Sequence, residues 1–294
     1  MARYLDPKSD LTFKRIFGEH PHLLISFLNS LMPFEAGQFI EEIQYLPTEQ
    51  VPDNPGKKDS IVDVRCIDNY KRQFIVEMQM HWTKYFKNRM VFNAGKAYVR
   101  QLNKNQEYNL LQPVYTLAIL NENFDHQTEE FYHHYQIVNK ENTDEVISGL
   151  EFVLIELPKF HPQRWEDRKM AVLWLRFLSE VDEKMRYLPK ELQENENISQ
   201  AAELCEEAAF TDDELFVYDD YWDAVRIEKS NIMDAMEKVK DALIESEARG
   251  EARGEAKKAK QIVLNSHRNG IPVETIAIIA DLTVEEVNKI LNDG

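Results

Sequence analysis

The chain has 294 residues, of which 43% are hydrophobic and 30% charged, and its formal net charge is −17 at pH 7. This length fits roughly two domains with apolar cores, and the two cysteines, Cys66 and Cys205, exclude a disulfide-rich or cysteine-zinc scaffold. No apolar run approaches the ~20 residues that span a bilayer, and the first residues lack the apolar core of a signal peptide. We therefore expect a cytoplasmic protein with no membrane partner.

The acidic charge is concentrated in the middle of the chain. Residues 1–120 have a net charge of +2, residues 121–240 of −16 and residues 241–294 of −3. Exposed charges further apart than about 8 Å are largely screened at physiological salt. The acid therefore does not exclude a basic groove that binds phosphates in the N-terminal part, and a role in solubility explains the acid equally well.

The N-terminal part predicts two helices followed by a small sheet. The helices lie near 9–18 and 21–31, and Pro33 ends the second. Hydrophobic periodicity predicts a further helix over 84–104, and it predicts strands over 38–46, 61–67, 74–80, 113–120, 131–139 and 151–157. Helices before a mixed sheet, with one helix between strands, indicate the α/β class.

One hairpin carries the strongest functional signal. Residues 61–67 alternate between apolar and polar side chains, a turn follows, and residues 74–80 form the returning strand. In an antiparallel hairpin Asp63 and Glu77 would face each other, and Gln79 shares the face of Glu77. Two carboxylates beside an amide suit Mg²⁺, which activates water and neutralises phosphate charge. Two outward-facing strand residues would give the same spacing, so the pattern alone leaves both interpretations open.

The hairpin resembles the metal site of the PD-(D/E)XK nuclease superfamily. Its Glu-x-Gln sequence resembles the transposase-like branch of recombination-promoting nucleases, whereas most of the superfamily has Glu-x-Lys. The resemblance is closest over residues 1–120, where it includes Asp10 to Gly18, Leu24 to Leu31, Lys58 to Asp63 and Phe86 to Arg89. It implies a restriction-endonuclease-like mixed central sheet flanked by helices, and a DNA endonuclease that uses Mg²⁺, with Mn²⁺ as a substitute.

The resemblance also implies roles for individual residues. Asp63 and Glu77, joined by the backbone carbonyl of Met78, would hold the metal ion, and Gln79 would position the attacking water. Asp10 would be an outer or second-metal carboxylate, unless it is a helix N-cap. Because an amide cannot supply the charge of a lysine, activity would depend more heavily on the metal.

The helix predicted over 84–104 carries a second functional signal. At 100° per residue, one face combines Arg89, Asn93, Lys96 and Arg100. The adjoining face is apolar and contains Phe86, Met90, Ala94 and Ala97. Placed beside the hairpin, Arg89, Lys96 and Arg100 would bind DNA phosphates, and the guanidinium of Arg89 could do so through two hydrogen bonds. Solvated surface charge is the competing interpretation.

The rest of the chain is predicted to be helical. After a nuclease-like domain over 1–160, we expect an acidic helical region over 161–226, a long helix or linker with Glu-Ala-Arg-Gly repeats over 227–260, and a small helical unit over 261–294. Each glycine inside a helix costs about 1 kcal/mol relative to alanine. The repeat segment therefore either tethers the last unit or pairs with a second copy, and we expect a homo-oligomer.

The last unit resembles a helix-turn-helix whose final helix opens with a capping box, Thr283 to Glu286. Lys289 is the only cation of that helix, so packing or assembly competes with DNA reading as its role. For the whole chain, the resemblance favours an endonuclease linked to DNA recombination, mobility or defence. A catalytically silent, oligomeric interaction protein with the same fold is the alternative.

Overall fold

A computed structural model of the chain describes residues 3–50, 60–162 and 169–292. Lys58 and Asp59, part of the stretch leading into the hairpin, lie outside these residues. The helices are α1 (Asp10–Glu19), α2 (Pro21–Leu31), α3 (Phe86–Val99), α4 (Lys169–Glu180), α5 (Lys190–Gln193), α6 (Glu196–Glu203), α7 (Asp212–Arg268), α8 (Val273–Ala280) and α9 (Val284–Asn292). The strands are β1 (Ile43–Tyr45), β2 (Val64–Asp68), β3 (Gln73–Gln79), β4 (Val114–Leu120), β5 (Tyr132–Val138) and β6 (Val146–Glu156).

The six strands form one mixed sheet in the order β1-β2-β3-β4-β6-β5. Strands β1, β2 and β3 pair antiparallel, β3, β4 and β6 pair parallel, and β5 pairs antiparallel with β6. The parallel β3–β4 pair requires a crossover connection, which α3 supplies. This mixed sheet flanked by helices confirms the predicted restriction-endonuclease-like α/β fold.

Apolar residues cover the sheet on both faces. One face packs through Phe74 and Val76 into the main core, which includes residues of α1, α2 and α4. The other face packs through Ile75 against Ala94 and Ala97 of α3. Alternate residues of β3 thus enter opposite layers, and Glu77 belongs to the face covered by α3.

The first strand is shorter than the predicted 38–46. Only Ile43–Tyr45 pair with β2. Further upstream, the side chain of Asn29 binds the backbone N–H and C=O of Ile40, both at 2.8 Å. The Asn29 side chain on α2 therefore replaces the hydrogen bonds that a neighbouring strand would make to Ile40.

The acidic helical region shares the core of the preceding part. Trp174 on α4 is fully buried, and its ring centroid lies 5.4 Å from that of Phe17 and 5.5 Å from that of Phe27. The main core thus includes described residues on both sides of the boundary expected between residues 160 and 161. The acid of this region lies on the outer surfaces of helices whose inner faces are apolar.

The chain divides into two compact units, residues 1–226 and 227–294. Helix α7 begins at Asp212, where Thr211 and Glu214 form a reciprocal capping box. The long helix predicted from residue 227 is therefore the continuation of a helix that starts earlier.

The second unit has a small core of its own, which includes Val263, Ile276 and Val287. The predicted capping box at Thr283 is present, because its hydroxyl accepts from Glu286 N–H while the Glu286 carboxylate accepts from Thr283 N–H. Within the described parts of the chain, no helix combines the length and apolarity required to cross a membrane.

Candidate metal and nucleic-acid site

Asp63 lies in a bend that immediately precedes β2. The predicted strand from residue 61 begins only at Val64, which pairs with Val76. Continuing that register would bring Asp63 opposite Glu77, as expected from the hairpin. Because the bend frees Asp63 from the strand, its Oδ2 accepts a hydrogen bond from the backbone N–H of Met78 at 2.7 Å.

The Asp63 carboxyl group is held where negative charge is unfavourable. Burial raises its pKa to about 7, and the hydrogen bond from Met78 only partly opposes this shift. The charges of Glu77 and Asp10 raise the pKa further, whereas Lys14 lowers it. The negative charges of Glu77 and Asp10 therefore oppose the ionisation of Asp63, an effect that a bound cation would relieve.

The backbone of Met78 is oriented toward Asp63. The N–H and C=O of one strand residue point to the same side of the strand. Since the Met78 N–H donates to Asp63, the Met78 carbonyl also points to the β2 side, where β2 has not yet begun. This orientation agrees with the ligand role implied for that carbonyl.

Glu77 is buried and held by two side chains from α3. Its Oε1 accepts from Asn93 Nδ2 at 3.1 Å, and its Oε2 accepts from Arg89 Nη2 at 3.2 Å. Arg89 and Asn93 are four residues apart and share one helix face. The predicted face of α3 thus contacts the predicted metal ligand directly.

Gln79 is fixed at both ends of its amide. Its Nε2 donates to the carbonyl of His81 at 2.6 Å, and its Oε1 accepts from Arg89 Nη2 at 2.6 Å. The His81 ring is itself held by Glu122 at 2.8 Å. Arg89 therefore links Glu77 to Gln79. The Nε2 and Oε1 atoms of Gln79 each retain one further hydrogen-bonding position.

Asp10 is the first residue of α1 and pairs with Lys14 at 2.7 Å. It is not the N-cap, because Ser9 occupies that position and its side chain accepts from the N–H of Thr12. The influence of Asp10 on the pKa of Asp63 places its charge near the hairpin. Its role as an outer carboxylate stays a prediction.

Lys96 and Arg100 continue the α3 face away from Glu77. Lys96 Nζ donates to the carbonyl of Gln50 at 2.6 Å and to Ser60 Oγ at 3.3 Å. Arg100 lies near Arg65 of β2, whose pKa is lowered by burial and by the Arg100 charge. The contacts among the described residues thus bring Arg89 to the Glu77 carboxylate and Lys96 to the segment that precedes β2. The phosphate-binding role of Lys96 and Arg100 stays a prediction.

The donor set fits a hard divalent cation. Among the described residues, no group of three or more His, Cys, Asp and Glu side chains is arranged to hold a metal ion. Asp63, Glu77 and the Met78 carbonyl instead combine two carboxylates with a backbone oxygen, the ligand types that Mg²⁺ prefers. Water would complete the coordination, as is usual for Mg²⁺.

Two elements of the site were missed in the sequence. The sequence places Asn93 on the polar face of α3 but does not predict its hydrogen bond to Glu77; its position four residues after Arg89 is the available signal. Nothing in the sequence marks Glu122, which binds the His81 ring and accepts from the N–H of Trp82 at 2.8 Å. Because β3 and β4 are parallel, they end at the same edge of the sheet, and Glu122 after β4 therefore lies beside His81 after β3. The sequence alone does not give this pairing.

The fold and this site together define a protein of the restriction-endonuclease-like class. Residues 7–235 match the family model described as PD-(D/E)XK nuclease family transposase. The chain belongs to this family, as its hairpin predicted, and nucleases of this superfamily generally use divalent metal ions. No curated protein and no solved structure gave a significant match to the chain.

Proposed function

We propose that the protein is a metal-dependent endonuclease that hydrolyses phosphodiester bonds of DNA. The observation that carries this proposal is the meeting of Asp63, the Met78 backbone and Glu77 at one end of the β2–β3 hairpin, with Arg89 crossing from α3. Asp63, Glu77 and the Met78 carbonyl would hold Mg²⁺ or Mn²⁺. The bound ion would supply Lewis acidity and lower the pKa of a coordinated water.

The protein's own residues set the geometry of this reaction. Asn93 holds Glu77 Oε1, so the orientation of that carboxylate is fixed. Gln79, held by Arg89 and the His81 carbonyl, orients the attacking water with its remaining hydrogen-bonding positions. The Arg89 side chain is 49% exposed, so its outer N–H groups can bind the scissile phosphate.

Plasmid nicking tests the proposal. The intact chain should convert supercoiled DNA to open circles with Mg²⁺ or Mn²⁺, and EDTA should stop the reaction. Asp63→Asn should abolish nicking without unfolding the protein, because the asparagine oxygen still accepts from the Met78 N–H. Nicking that survives EDTA or this substitution would refute the assigned chemistry. Absence of nicking with every metal would favour the catalytically silent alternative.

We also infer that the chain associates with a second copy through α7. Ile232, Met236, Val239 and Leu243 recur at intervals of four, three and four residues, which is the spacing of a coiled-coil seam. Met236, Val239 and Leu243 are 68%, 69% and 58% exposed. A second α7 would bury this row, which ends before the Glu-Ala-Arg-Gly repeats.

Sedimentation analysis of paired variants tests the association. Leu243→Glu should convert a dimer to a monomer, because it puts charge into the seam. Ile244→Glu is the matched control, since Ile244 is 56% exposed but lies outside the seam. Equal sedimentation of both variants and the unchanged protein would contradict this interface.

A further inference from the structure

An open groove lies directly beside the carboxylates. Its volume is about 590 Å³, and the described residues that line it include Ile61, Tyr85, Asn88, Arg89, Phe92 and Asn93. Pockets of a few hundred Å³ are typical of sites for small organic groups. Arg89 and Asn93 both contact Glu77, so the groove and the candidate metal site share a wall.

The groove exposes aromatic surface to solvent. Tyr85 is 69% exposed and Phe92 is 44% exposed, and Ile61 on the opposite segment is 68% exposed. Lys96 Nζ lies 5.2 Å from the ring centroid of Phe92, so positive charge flanks the aromatic wall. Aromatic rings beside cations are the combination that binds the bases and phosphates of single-stranded nucleic acid.

Within the described part of the chain, a buried polar atom at the groove also lacks a partner. Asn93 is fully buried, and while its Nδ2 donates to Glu77, its Oδ1 has no hydrogen-bond partner among the described residues. Buried polar atoms are nearly always paired, so a donor that enters the groove and displaces the side chains covering Asn93 would satisfy this acceptor. The N–H groups on the edge of a nucleobase are such donors, as the bases read in flipped-out pockets illustrate.

We propose that this groove binds one unstacked nucleobase of the DNA strand that the carboxylates cut. The base stacks on Tyr85 and Phe92, and its edge faces Asn93. Because a base inside a duplex is covered on both faces, its ring cannot reach these side chains until it leaves the stack. The inference rests on the proposed nuclease function and narrows its substrate to DNA with unpaired or extruded nucleotides.

Binding measured in EDTA separates this proposal from cleavage. The anisotropy of a fluorescein-labelled 20-nucleotide strand should show tighter binding of the single strand than of the matching duplex by the intact chain. Tyr85→Ala and Phe92→Ala should each weaken single-strand binding about 5- to 100-fold, the range for loss of one base–aromatic stack. Tyr85→Phe should retain the affinity, because stacking requires the ring and not the hydroxyl group.

Tyr187→Ala is the matched control, since Tyr187 is 68% exposed and is not among the described residues that line the groove. Equal affinity for single strand and duplex, or equal effects of Tyr85→Ala and Tyr187→Ala, would overturn the groove proposal. If Asp63-dependent nicking persists in that case, the nuclease proposal still stands. Conversely, single-strand binding that depends on Tyr85 without any nicking would support the groove and refute the nuclease.

Discussion

Two acidic groups at the same end of the sheet, the partly buried Asp63 and the fully buried Glu156, have opposite surroundings. Glu156 ends β6 in register with Leu120 of β4, which in turn pairs with Gln79 of β3. Glu156 is fully buried and accepts from the N–H groups of Phe124 and Asp125, at 2.5 and 3.1 Å. It also accepts from the side chains of His133 and Lys159, at 2.8 and 2.7 Å.

The pKa values of the two groups reflect this difference. Burial raises the pKa of Glu156, but hydrogen bonds from Lys159, the Asp125 N–H and His133 outweigh burial and lower the pKa below its usual value. Among the described residues Asp63 accepts one hydrogen bond, from the Met78 N–H, and burial together with the charges of Glu77 and Asp10 raises its pKa to about 7. Donors of the chain itself satisfy Glu156, whereas the described residues offer Asp63 only the Met78 N–H, which is why we propose a cation there. The supply of donors, and not burial alone, therefore separates the surroundings of the two acids.

Among the substitutions that test this comparison, we expect the largest effect from one that changes catalysis. Glu77→Gln should lower the rate of plasmid nicking on the order of 10³-fold, because it removes one of the charges proposed to hold the metal. The free energy of unfolding in EDTA should change by no more than about 1 kcal/mol, since the amide preserves shape and one acceptor. Nicking assays and urea unfolding measure the two quantities. A fully active Glu77→Gln protein would contradict the assignment of the site.

Glu156→Gln should show the reverse pattern. The free energy of unfolding should fall by about 3–5 kcal/mol, because the buried ammonium of Lys159 loses its charged partner. Nicking per folded molecule should stay unchanged at low temperature. Urea unfolding measures the loss, with Glu145→Gln on the exposed β5–β6 turn as the control. Unchanged stability would show that the donors around Glu156 do not depend on its charge.

Arg89→Ala should have an intermediate effect. It removes the link between Glu77 and Gln79 and the cation proposed to contact the phosphate, so nicking should fall about 10- to 100-fold, as is usual for residues that orient metal ligands. The slope of log affinity for DNA against log salt should decrease by about 1, as expected for one lost phosphate contact. Lys87→Ala on the same helix is the control, because Lys87 binds the Tyr135 hydroxyl at 3.1 Å. If the slope of log affinity against log salt is unchanged, Arg89 does not contact a DNA phosphate.

The smallest effect is a difference in pH dependence. The pKa of Asp63 is raised in the folded state, so ionisation destabilises that state as pH rises from about 4 to 7. Asp63→Asn should therefore raise the free energy of unfolding in EDTA by about 1–3 kcal/mol at pH 8, and the gain should vanish toward pH 4.

The pKa of Glu156 is lowered in the folded state. Its stabilising contribution is therefore present above the usual pKa of a glutamate and lost as pH falls through the lowered value. The deficit of Glu156→Gln should be largest at neutral pH and shrink in acid. Urea unfolding between pH 3.5 and 8 tests both trends. We expect charge on Asp63 to destabilise the folded state and charge on Glu156 to stabilise it. An Asp63→Asn protein that is less stable than the unchanged chain at every pH would contradict this difference.

Local patterns in the sequence determined most of the elements. The helix predicted over 21–31 is α2, and the strand predicted over 113–120 is β4, because hydrophobic periodicity and Pro33 act within one segment. The register of the hairpin was predictable for the same reason, since a short turn fixes which residues pair. The polar and apolar faces of α3 also follow from helical periodicity alone.

Only the tertiary structure decided how these elements meet. The strand order places β5 at the edge and brings Glu122, which follows β4, to the His81 ring beside Gln79. The bend at Asp63 and the bond from Asn93 to Glu77 likewise arise where separate segments pack together. Periodicity in a sequence reports the environment of a residue along its own element, whereas the supply of donors to a buried carboxylate comes from residues distant in the chain.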